Sequence, residues 1–142
     1  MPEGIYLGFD FGLKRIGMAV GQRLTGTASP LATLQAIRGV PNWHIVQQQI
    51  VEWHPKGLVV GLPTCMDDKD LYTTAASRRF AQALQKHFSL PVHMVDERLS
   101  TVEAREYLFQ KGGYRKIQQS AVDSIAACII LERWLGSWSP SS

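Results

Sequence analysis

"IYLGFDFGLKRIGMAVG", residues 5–21, holds two short apolar runs joined by a connection too short for a helix. "IYLGF" (5–9) and "RIGMAVG" (15–21) have strand length, and Gly12 lies between them. "ASPLATL" (28–34) follows after a Thr-Gly pair, so the first third of the chain reads as a β-meander of three antiparallel strands. The same stretch sets one acid, Asp10, at the end of strand one, ahead of a glycine turn and the pair Lys14-Arg15.

Beyond the meander the period changes. "NWHIVQQQIVEWH" (42–54) carries apolar residues at Trp43, Ile45, Val46, Ile50 and Trp53, near helical spacing, and Pro55 with Gly57 ends it. "GLVVGLP" (57–63) reads as a buried strand, "LYTTAASRRFAQALQKHF" (71–88) as a helix and "PVHMVDE" (91–97) as a strand. A helix is expected over 100–113, started by a Ser100/Glu103 capping box and stopped by Gly112-Gly113. A strongly apolar helix is expected over 120–136, before a frayed tail at 137–142. The order βββαβαβαα predicts an α/β fold: strands joined by turns run antiparallel, strands separated by helices run parallel, and one mixed five-stranded sheet carries helices on its faces.

With 142 residues, 45% of them hydrophobic, the chain fits a single domain over 1–136. Fifteen basic against 12 acidic residues is a mild excess that permits an anionic partner without requiring one. Cys65 and Cys128 are far apart with no CxxC, and His44, His54, His87 and His93 are scattered, so neither a disulfide framework nor a zinc site is indicated. Cys128 reads as a core thiol. "MPEGIYLGFD" has no cationic lead-in, and no run approaches the ~20 apolar residues of a membrane span, so a cytoplasmic chain without a membrane partner is expected.

Three acids stand where acids are uncommon. Asp10 can cap its own turn or act as a ligand, and position alone does not decide between them. Asp96 and Glu97 end a strand and alternate in face, so at most one can join a given site. Asp123 shares a helical stripe with Ala126, Ala127, Ile130, Leu131 and Trp134. A capping box with Ser120 would account for an acid near the helix start, but not for its place on the apolar stripe. A buried lone carboxylate is costly, and a cation or partner offsets that cost. If Asp10, one of Asp96/Glu97, and Asp123 converge, their hard oxygens suit Mg²⁺ or Mn²⁺ and the hydrolysis of a phosphodiester.

"GFDFGLKRIGMAVG" (8–21), "VVGLP" (59–63), "DERLST" (96–101) and "VDSIAACIIL" (122–131), in this order, resemble the YqgF/RuvX family of RNase H-like nucleases. Its members are described as Holliday junction resolvases and as nucleases of pre-16S ribosomal RNA. The likeness spans about residues 5 to 135. It implies an RNase H-like fold with strand one central, and it makes Asp10, Glu97 and Asp123 the catalytic, metal-binding acids, choosing Glu97 over Asp96. The sequence departs from the family pattern at Gly21-Gln22, where Ser-Asp is frequent, and at Thr64 to Asp68, where "NMDG" is frequent after "GLP". It also has Ser120 where related resolvases add a fourth acid.

Lys14, Arg15, Arg98, Lys111, Arg115 and Lys116 are the candidate phosphate contacts, and Tyr114 is placed to stack on an unpaired base. For any single cation a solvated surface position is an equal alternative. The expected activity is a divalent-metal-dependent endonuclease, acting in 5′-end processing of pre-16S rRNA or, alternatively, as a resolvase of branched DNA. A non-catalytic nucleic-acid or ribosome-associated factor is a second class. A nucleotide-binding module ranks last, because that architecture needs two such halves. Paired cleavage of a junction calls for a dimer and RNA processing does not, leaving monomer or homodimer open.

Overall fold

Strand β1 (Ile5–Asp10) takes the centre of the sheet, in keeping with the unbroken burial of Leu7, Gly8 and Phe9 on both faces. A computed structural model describes residues 4–63, 71–97 and 119–137. β1 pairs antiparallel with β2 (Arg15–Gln22) and parallel with β6 (Gly57–Pro63), which in turn pairs parallel with β7 (Val92–Glu97). The mixed sheet predicted from the order of elements is therefore present, and two parallel pairings follow from the helices that separate those strands.

The expected third strand, 28–34, is two strands. β3 (Thr27–Pro30) pairs with the second half of β2, and β4 (Leu34–Ile37) pairs with its start. Ala19 faces Pro30 and Ile16 faces Leu34, so this side spends one residue more than β2 over the same span. That surplus is a bulge, placed after a proline that cannot donate to the ladder. β4 then turns into the two-residue strand β5 (Val40–Pro41). Arg38 and Gly39, at φ 53° and 84°, make the left-handed two-residue turn of a tight hairpin. Among the described residues the sheet thus has seven strands in the order β5-β4-β2-β1-β6-β7, with β3 also on β2, instead of five.

Helix α1 (Trp43–Trp53) begins at Asn42, whose side chain accepts from the His44 N–H at 3.0 Å, and stops at His54 in the left-handed region. Val46 is fully buried and Trp43, Ile50 and Trp53 pack beside it, whereas Ile45 points off the stripe and is exposed. α1 and α2 (Leu71–Phe88) cover one face of the sheet, where Leu7, Phe9, Leu58 and Val60 meet Val46, Phe80 and Leu84. The other face carries α3 (Gln119–Ser137), with Ala127, Ile130 and Leu131 against Ala19 and Val59. Ser120 is the second residue of α3. The helix expected over 100–113 and the tail after 137 lie outside the described residues.

Candidate active site

Pleat alternation divides β1 cleanly. Leu7 and Phe9 enter the core under α1 and α2, and Tyr6, Gly8 and Asp10 belong to the face under α3. Asp10, at the open end of this row, is half-buried. Its cross-strand neighbours are both glycines, Gly17 on β2 and Gly61 on β6. No neighbouring β-carbon crowds the carboxylate from either strand.

The sheet register also ranks the two acids at the end of β7. Asp10 is level with Gly61, and Gly61 with Val95. Glu97 lies two positions beyond Val95 and has its parity, which is that of Asp10, whereas Asp96 has the other. Alternation within one strand could not give this, because it needs the phase of β7 relative to β1, carried through β6.

Helix α3 comes close to this face because small residues admit it. A β-carbon on Gly8 would meet Leu131 Cβ at 2.9 Å and the Ala127 carbonyl at 3.2 Å, and one on Gly61 would collide with Ile130. Tyr6 meets Trp134 with ring centroids 5.0 Å apart, so α3 runs antiparallel to β1. Two strand residues advance roughly 6.6 Å and four helical residues roughly 6 Å. The step from Gly8 to Asp10 therefore corresponds, along α3, to the turn that contains Asp123. On β2, Ala19 and Gly21 admit the helix in the same way: Ala19 packs against it, and a β-carbon on Gly21 would lie 2.9 Å from Leu131 Cδ2; the small residues alternating along β2 are a signal of this approach that is legible in the sequence.

Among the cations, Lys14 is exposed in the β1–β2 turn. Arg15 is half-buried, opens β2 and shares the parity of Gly17, which places it on the face of Asp10 past the strand end. Arg98, Lys111, Tyr114, Arg115 and Lys116 lie outside the described residues, and of Glu97 and Asp123 only the backbone is described. Cys128 is buried as expected, and burial, with Glu132 nearby, pushes its thiol up to about 12. At neutral pH this thiol stays protonated and packs in the core. Among the described residues, no helix is long and apolar enough to cross a membrane.

Comparisons with known proteins show the family and the fold. A family model described as RuvX, Holliday junction resolvase, matches residues 4–137. A protein of Legionella pneumophila (strain Lens), named "Putative pre-16S rRNA nuclease", is 67% identical over 135 residues, covering 95% of this chain and 97% of its own. One of Escherichia coli O1:K1 / APEC with the same name is 50% identical over 132 residues, covering 93% and 96%. Among solved structures, T. thermophilus RuvC in complex with a Holliday junction substrate superposes with a TM-score of 0.57 at 14% identity, covering 94% of each chain. The fowlpox virus Holliday junction resolvase gives 0.53 at 13% identity, covering 94% of this chain and 99% of its own. At such identities the likeness is one of fold.

Proposed function

Because the chain belongs to the RuvX family of Holliday junction resolvases, we propose that it is a cytoplasmic endonuclease that hydrolyses phosphodiester bonds of structured RNA in the 5′-end processing of pre-16S rRNA. The observation that carries the RNA reading is the 67% identity, over nearly the full length of both chains, to a relative named for that activity. The name of the family favours branched DNA as the second reading.

In this proposal Asp10, Glu97 and Asp123 hold Mg²⁺ or Mn²⁺. Their donor set fits such an ion: carboxylate oxygens are hard ligands, and Gly17 beside Asp10 adds no side chain of its own. When bound, the ion polarises the phosphate and makes a water nucleophilic near neutral pH. Asp10 sets the geometry from the end of a strand that is paired on either side. Arg15, on the same face, binds and orients the phosphate backbone, with Lys14, Arg98, Lys111, Arg115 and Lys116 as further contacts and Tyr114 as a stacking surface. Such contacts position a nucleic acid without reading its sequence, so the choice of substrate rests on shape.

The decisive experiment runs purified wild type and Asp10→Asn, with Mg²⁺ or Mn²⁺, against a pre-16S transcript, a four-way DNA junction and a linear duplex. Wild type is expected to cut the transcript, and Asp10→Asn to lose cleavage while retaining affinity. Cleavage of the junction alone supports the resolvase reading. Binding with no cleavage of any substrate, or undiminished cleavage by Asp10→Asn, overturns the proposal.

A further inference from the structure

Two buried serines lie in helices, and they behave differently. Ser77 in α2 donates to the carbonyl of Thr74 in its own helix, at 2.8 Å, the usual choice for a helical hydroxyl. Ser124 in α3, only 4% exposed, leaves its helix and donates to the Leu31 carbonyl in the β3–β4 bulge at 2.7 Å. Its oxygen also lies 2.8 Å from the Thr33 hydroxyl. A serine hydroxyl has one proton, and Leu31 receives it. Thr33 is therefore the donor to Ser124, and the relay runs one way, from Thr33 through Ser124 to Leu31.

Both ends of this relay rest on irregular backbone. The Leu31 N–H is bonded in turn to the Met18 carbonyl of β2, at 2.8 Å, which fixes the bulge to the strand beside β1. The helical turn that holds Ser124 is the turn that holds Asp123. We propose that Ser124 is a positioning residue: through Thr33 and Leu31 it sets the height and rotation of that turn, and so the place of Asp123 relative to Asp10. The inference rests on the nuclease reading above, in which these two acids share a metal ion, and it gives the bulge a purpose that sheet pairing alone does not.

The test uses wild type, Asp10→Asn, Ser124→Ala, Thr33→Val and Thr33→Ser. Mn²⁺ binding is measured by calorimetry without nucleic acid, and kcat and KM are measured on a substrate that wild type cuts. Ser124→Ala is expected to weaken Mn²⁺ binding and lower kcat by roughly 10–100-fold, as loss of a supporting contact around metal ligands does. KM should stay within about twofold, because the contacts to the phosphate backbone remain. Thr33→Val should move the same quantities in the same direction, and Thr33→Ser, which keeps the donor, should match wild type. Unchanged Mn²⁺ affinity and kcat in Ser124→Ala overturn the proposal, and if that variant does not fold, the same result in Thr33→Val does so. Equal Mn²⁺ binding and equal cleavage by wild type and Asp10→Asn would instead show that the nuclease reading itself is wrong.

Discussion

Gly61 serves two neighbours at once, the carboxylate of Asp10 beside it in the sheet and the side chain of Ile130 above it. An added β-carbon would lie 3.1 Å from Ile130 Cγ1 and closer still to its Cδ1. Gly61→Ala should therefore destabilise the protein by about 1–3 kcal/mol, the usual cost of overpacking a well-filled core. Ile130→Val removes the nearest atom, so the double variant should recover part of that loss, as a urea-denaturation cycle would reveal. Additive losses would mean that α3 does not press on β6 at this point. The same residue shows why one question stayed open in the sequence. Asp96 and Glu97 differ in parity, but which parity belongs to Asp10 is set by the pairing of Asp10 with Gly61 and of Gly61 with Val95, contacts between segments far apart in the chain.

At the level of the element, α3 is held at both ends. Its second turn is tied to the bulge by Ser124, and farther along Glu132 accepts from the Ala28 N–H at 2.9 Å. At its far end Trp134 meets Tyr6 and His93, with Arg23 over the Tyr6 and Trp134 rings. Burial, aided by the Arg23 charge, holds His93 below the usual histidine range. The unfolded chain then takes up a proton at a pH where the folded one does not, so stability falls as pH drops below about 6.5 and levels off below the folded value. His93→Phe keeps a ring against Trp134 and removes the proton site. Its urea midpoint should change less than that of wild type between pH 7 and pH 5, and an equal slope would show that His93 is not responsible. The apolar stripe of α3 was legible because a 3.6-residue period is local. The split of the third strand was not, since a bulge depends on how β3 and β4 meet β2. The Arg38-Gly39 hairpin escaped for a related reason: only one of its turn residues is of the type that favours positive φ.

Across the whole molecule the two faces of the sheet divide the work. The face under α1 and α2 holds the aromatic cluster, where Phe80 lies 5.5 Å from both Phe9 and Phe11 and stacks on Trp43 at 5.8 Å. The face under α3 holds Asp10, with glycines where the other face has large side chains. A sheet one residue thick separates them, and side chains of successive residues go to opposite sides. Loss of packing on the aromatic face should therefore lower stability without altering the chemistry of molecules that remain folded. Phe80→Ala is expected to cost about 3–5 kcal/mol, enough to lower the melting temperature sharply while leaving a folded population in the cold. In that population, Mn²⁺ affinity and kcat per folded molecule should stay within about twofold of wild type, in contrast to the losses expected for Ser124→Ala. A tenfold loss of Mn²⁺ affinity in folded Phe80→Ala would show that the sheet transmits the packing defect to Asp10, and that the position of this acid depends on both layers.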